Sequence, residues 1–198
     1  SRNRRKVVVA PSVGPQYRAV LRTYTQGSDL QIVGDERPDA TLDDVLALVD
    51  NTTAALVVQN PDFFGTLHDL KPLAERVHAA GALLVAHVDP IALGLFQTPG
   101  EADVDIATAE GQPLGVGLSF GGPYLGIFTC KSKYVRKMPG RLAGATLDID
   151  GKIGYVLTLQ AREQHIRREQ ATSNICTNQG LMALAAAVYL SLMGRQGL

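Results

Sequence analysis

Apolar residues along this chain alternate between short continuous runs of Val, Leu, Ile and Ala and longer stretches in which they recur every three or four positions. The continuous runs predict strands at residues 7–10, 30–33, 54–59, 83–88, 105–109 and 125–129. The periodic stretches predict helices over 16–24, 41–49 and 66–80, then a charge-laced helix over 160–170 and an apolar helix over 181–193. Strand and helix alternate, and the strands are apolar on both faces. That order predicts an α/β fold: a mostly parallel sheet flanked by helices, read as one domain over 1–198 with no internal repeat or low-complexity linker.

Local chemistry supports these elements. Thr41 can cap a first turn in which Asp43 and Asp44 suit the positive helix end, and Leu42, Val45, Leu46 and Val49 form one stripe. Leu67, Leu70, Leu73, Ala74 and Val77 share a face of the next helix, and Gly81 stands just past its end, where a left-handed residue stops helices. Thr177 or Asn178 can cap the apolar helix. At about 1.5 Å per residue that helix reaches only about 20 Å, short of a bilayer core, so it reads as a buried or interface helix.

Composition narrows the function classes. Lys plus Arg and Asp plus Glu both number 19, so no charge excess points to nucleic acid or an anionic membrane. The only basic run, Arg2, Arg4, Arg5 and Lys6, reads as a solvated lead-in to the first strand. The two cysteines, Cys130 and Cys176, stand in no metal-like spacing and suit a reducing cytoplasm, so no metal site is expected. No charged start followed by an apolar stretch suggests secretion. Both ends read as cut, since a helix apolar nearly all round needs neighbours that few remaining elements can supply. The expectation is a fragment.

Three strands run into polar residues and a proline: Gln59-Asn60-Pro61, His87-Val88-Asp89-Pro90 and Glu110-Gly111-Gln112-Pro113. In open parallel sheets, ligands collect at such carboxyl ends. Asp89 reads equally as a site carboxylate or as the cap of the turn at Pro90. His87 alone reads as a satisfied core histidine; beside Asp89 it gains a pocket role as a second reading. The Gly-rich run from Gly115 to Pro123 could cradle a phosphate, or simply let chains approach closely; it lacks the Lys and Ser/Thr ending of a P-loop, and no GxGxxG follows the first strand. Cys176 reads as a packed thiol. A buried strand ending in Asp89 and a polar turn about twenty residues later resemble the centre of a pyridoxal-phosphate enzyme, in which that Asp faces the pyridine nitrogen and a lysine carries the cofactor. No lysine occurs between Lys71 and Lys131, and Gln112 occupies the expected position.

Four strings carry a family resemblance: Asn60-Pro61-Asp62-Phe63-Phe64-Gly65, Glu110 to Gly115, Leu118 to Gly126, and His165-Ile166-Arg167-Arg168 with Ala171 to Thr177. They resemble the glycine decarboxylases, the pyridoxal-phosphate P-proteins of the glycine cleavage system, over residues 5–194. The likeness is to the first subunit of two-subunit forms or the N-terminal half of one-chain forms. It implies the large domain of a fold-type I pyridoxal-phosphate enzyme, without an N-terminal segment and a C-terminal small domain.

The resemblance further implies the reaction. Glycine loses carbon dioxide on the cofactor, and its aminomethyl group passes to the lipoyl arm of H-protein. The cofactor lysine belongs to a homologous second subunit, at the position matching Gln112, so this chain would hold no cofactor covalently and contribute no catalytic residue. Asn60, Asp89, Gln112, Thr172, Ser173 and Asn174 are expected to line the shared site. An inert structural or regulatory partner is the alternative. Two positions depart from the family pattern: Gly14 stands where His is common, and Gln170 where Lys is usual.

Overall fold

The structure, a computed structural model, describes residues 4–159, 163–171 and 179–198. In chain order its elements are β1 (Lys6–Val9), α1 (Pro15–Thr25), β2 (Gln31–Val33), α2 (Leu42–Ala47), β3 (Thr53–Asn60), α3 (Leu70–Ala79), β4 (Leu83–Val88), β5 (Ile106–Glu110) and β6 (Gly126–Cys130). There follow β7 (Leu142–Leu147), β8 (Ile153–Thr158), α4 (Gln164–Arg167) and α5 (Gly180–Gly197). They fall into two compact units, Ser1–Lys131 with Met182–Leu198, and Ser132–Leu181.

The first unit holds a six-stranded sheet in the order β2-β1-β3-β4-β5-β6. All neighbours are parallel except β6, which runs antiparallel to β5. The expected α/β class and mostly parallel sheet are observed. The chain steps outward from β1 to β2, then reverses across β1 to β3 and continues to β4. With right-handed crossovers, that reversal puts α1 on the face opposite α2 and α3, and it opens a crevice between the carboxyl ends of β1 and β3.

Alternation within each strand explains the core. Val8, Leu56, Val58, Leu84, Ala86 and Val88 are buried, and Leu70, Leu73, Ala74 and Val77 of α3 join Val45 and Leu46 of α2 in the same apolar cluster. A capping box closes α2: the Thr41 hydroxyl accepts from Asp44 N–H while the Asp44 carboxylate accepts from Thr41 N–H.

Several elements differ from the sequence reading. Helix α3 starts at Leu70 rather than 66, because Asp69 caps it and Asn60 and Asp62 hold the preceding residues in a loop; Leu67 is exposed. In the second unit, the expected long helix is only α4 and one further 3-10 turn, Arg168–Gln170, with Arg168 at φ 55. Residues 160–162 lie outside the described residues. The same unit contains an antiparallel hairpin, β7 with β8, that the apolar pattern did not reveal. Helix α5 buries Ala186 but leaves Leu181, Leu184 and Leu192 largely exposed. Its expected caps, Thr177 and Asn178, lie outside the described residues. No helix among the described residues is long and apolar enough to cross a membrane.

Candidate functional site

The carboxyl ends of β3, β4 and β5 open on a cleft of about 330 Å³, bordered by Gln59, Asp62, His87, Asp89, Glu110 and Gln112. It is the place that the strand ends and their prolines point to. Register explains which side chains reach it. Gln59 pairs with His87, and His87 with Thr108, whereas Asn60 pairs with Val88, so Asn60 falls on the same face as buried Leu56 and Val58.

Asn60 is therefore not brought to this cleft. Its amide donates to His68 O at 3.1 Å and accepts from His68 N–H at 3.0 Å, which pins the loop before α3 beside a second, smaller cavity. Gln59 reaches the cleft instead, and its Oε1 accepts the Gly14 N–H at 2.8 Å. Asp62, also unassigned by the sequence reading, is buried at the cleft wall. Its carboxylate accepts from Phe64 and Thr66 N–H and lies 3.1 Å from His68 Nε2. Burial alone would raise its pKa, but the Thr66 amide, the His68 ring and the Phe64 amide together hold it below the usual carboxylate value. The Asn-Pro-Asp triplet followed by Phe-Phe-Gly-Thr is the signal that could have marked this turn, since an Asp readily accepts amides two to four residues on.

Asp89 is exposed rather than buried. Its Oδ1 accepts from Ile91 N–H at 2.8 Å and Ala92 N–H at 3.4 Å, so it both caps the following turn and borders the cleft. His87 lies with its ring centroid 4.4 Å from that of Tyr17 and its Nδ1 3.1 Å from Thr108 Oγ1. Burial pushes its pKa below 6.5, against the smaller opposing pull of Glu110 and Asp89, and leaves it neutral at pH 7.

Glu110 and Gln112 organise the third strand end. Glu110 Oε1 accepts from Gln112 N–H at 3.1 Å and Leu125 N–H at 3.0 Å. The Gln112 side chain donates to Val116 O at 2.6 Å and closes a turn over Pro113 and Leu114. Thr172, Ser173 and Asn174 lie outside the described residues.

A separate ionic cluster, to which the sequence reading assigned no role, sits at the amino-terminal end of β4 and β5, the end opposite the cleft. Asp105, 1% exposed, accepts from Leu84 N–H at 3.0 Å and pairs with His78 at 2.7 Å and Lys131 at 3.2 Å. Burial would raise the Asp105 pKa, but these partners hold it down. Among the described residues, no group of His, Cys, Asp and Glu could hold a metal ion.

A family profile for the glycine cleavage system P-protein matches residues 1–198. The chain belongs to that family. It is 57% identical over 196 residues to a probable glycine dehydrogenase (decarboxylating) subunit 1 of Desulforamulus reducens, covering 98% of this chain and 44% of that protein. It is 58% identical over 200 residues to the protein of the same description in Thermomicrobium roseum, covering 100% and 45%. This P-protein-family chain thus spans under half the length of those relatives. A crystal structure of glycine decarboxylase (P-protein) in inhibitor-bound form superposes with a TM-score of 0.86 at 46% identity, covering 98% of this chain and 44% of that one. Cystathionine gamma-lyase from Lactobacillus plantarum superposes with a TM-score of 0.53 at 18% identity, over 66% and 33% of the two chains. The second likeness is one of fold alone. The mostly parallel α/β sheet with flanking helices is the architecture this chain shares with both structures.

Covalent attachment of pyridoxal phosphate needs a lysine amine. No lysine among the described residues borders the cleft, and an amide stands at position 112. The cleft does not fit that group covalently.

Proposed function

We propose that this chain is the part of a glycine dehydrogenase (decarboxylating) that carries no covalent cofactor. It pairs with a homologous, lysine-bearing second subunit and completes that subunit's active site. The assembled cytoplasmic enzyme decarboxylates glycine on the partner's pyridoxal phosphate and hands the aminomethyl group to the lipoyl carrier H-protein. The observation that carries this reading is a cleft bordered by no lysine among the described residues, in which the Gln112 amide is committed to Val116 O. The relatives' description as first subunits of such an enzyme supports it.

On this reading the chain shapes and shields. Asp89, Glu110 and Gln112 fix the turns at the strand ends, and Asn60 fixes the loop before α3. The polar segment Thr172, Ser173 and Asn174 is assigned contacts to the shared site. Release of carbon dioxide from carboxyl-labelled glycine tests the assignment, using the full-length protein assembled with its partner and Ser173→Ala and Asn174→Ala variants. Lower turnover with unchanged assembly is expected. Unchanged turnover in both variants would leave the inert structural partner as the better reading.

A further inference from the structure

We propose that the cleft rejects phosphate-bearing ligands, so that a lysine restored at position 112 would not by itself make it a pyridoxal-phosphate site. The inference rests on the reading of Gln112 given above and adds a second, electrostatic barrier to the missing amine.

The first support is charge. Asp62, Asp89 and Glu110 border the cleft, and neither lysine nor arginine does so among the described residues. His87 adds no positive charge, because burial holds it neutral. A phosphate dianion entering this space meets like charges with nothing opposite to offset its lost hydration.

The second support is backbone. A phosphate in an open parallel sheet ordinarily sits against the amino terminus of the helix that follows a strand at the crevice where the strand order reverses. Here that helix is α1, whose first turn contacts two residues of the cleft, Gly14 touching Gln59 and Tyr17 touching His87. The Gly14 N–H is already taken by Gln59 Oε1 at 2.8 Å. The next residue, Pro15, has no N–H to offer. The chain thus occupies one donor at this helix end with its own acceptor and lacks a second.

Glu110 adds a third obstacle. It borders the same cleft as Gln112 and Asp89, so an amine reaching into that space from position 112 meets carboxylates that favour its protonated, unreactive form.

The test compares two aldehydes that differ only by phosphate. Gln112→Lys in the full-length protein, assembled with its partner, is treated with pyridoxal or with pyridoxal phosphate, reduced with borohydride, and mapped by peptide mass spectrometry. Labelling is normalised to the reactivity of each aldehyde with Nα-acetyl-lysine. At position 112 the phosphate form should label no better than pyridoxal, while the partner's cofactor lysine strongly prefers it. A preference of about tenfold or more for the phosphate form at 112 would overturn the proposal, since that corresponds to about 1.4 kcal/mol of favourable phosphate contact. Adding Glu110→Gln and Asp89→Asn should raise the ratio at 112; an unchanged ratio would remove the carboxylates from the argument.

Should Gln112→Lys fail to fold, the unaltered assembly serves. With the partner site filled and reduced, equilibrium dialysis should show no gain in retention of 4′-deoxypyridoxine phosphate over 4′-deoxypyridoxine, and a marked gain would overturn the proposal. Neither result bears on which subunit of the unaltered protein carries the cofactor lysine.

Discussion

The side-chain amide of Gln112 donates to the carbonyl oxygen of Val116 at 2.6 Å, and the Val116 N–H returns a hydrogen bond to Gln112 O at 3.1 Å. Gln112 is the clasp of this loop. Gln112→Ala should therefore destabilise the protein by about 1 kcal/mol, the ordinary net worth of one hydrogen bond. Gln112→Glu should cost more, because a carboxylate would face a carbonyl oxygen. Urea unfolding of the three proteins checks the order.

Gly115 has φ +79, and a Cβ built there would lie 2.6 Å from Tyr189 Cβ of α5. Gly115→Ala combines a left-handed backbone with a steric conflict, and should cost about 2–4 kcal/mol. Tyr189→Ala should not rescue it, because the nearest obstacle is the tyrosine's own Cβ. Recovery of full thermal stability in the double variant would contradict this packing.

Asp105 is buried among His78, Lys131 and the Leu84 amide, and its pKa is depressed in the folded state. Its stabilising contribution is thus fully present above the unfolded value of about 3.9 and is lost as pH falls through the lower folded value. Asp105→Asn should cost about 2–3 kcal/mol at pH 7, less than a wholly buried pair because His78 and Lys131 are partly solvated. Its stability should also fall less steeply than the parent's as pH drops below 4, a difference that denaturant titrations across that range would reveal.

His87 shifts in the same direction for a different reason: burial, rather than charged partners, lowers its folded pKa. Its folded pKa lies below 6.5, so the unfolded chain binds the proton more readily. The stability gained from keeping it neutral is complete above about 6.5 and declines as pH falls from there towards the folded value. His87→Leu should flatten that part of the stability profile. In NMR, the His87 ring should titrate with a midpoint below 6.5.

Much of the sheet was legible because its strands are continuous apolar runs with turn residues at each end. Leu83–Val88 appears with the bounds the pattern predicts, and the others within a residue or two at either end. Helix α3 was placed too early because Leu67 fits the helical period; the Asn60 and Asp62 hydrogen bonds that keep residues 61–68 in a loop leave no periodic trace. The β7–β8 hairpin was missed because Leu142-Ala143-Gly144-Ala145-Thr146-Leu147 is small and Gly-interrupted, with no clear two-residue alternation.

At the site, the strand ends and their prolines located the cleft, but Asn60 and Gln59 exchanged roles. Strand alternation from Leu56 and Val58 could have assigned Asn60 to the buried face. The partnership of Gln59 with Gly14, 45 residues apart, depends on sheet order and could not be read from one strand.

The most direct test of the central claim uses the unaltered full-length protein assembled with its partner. The assembly is incubated with pyridoxal phosphate and reduced with borohydride, and the labelled peptides are mapped by mass spectrometry. The account predicts one adduct on the partner's lysine and no site-specific adduct on this chain. A stoichiometric adduct at a single lysine of this chain would contradict it.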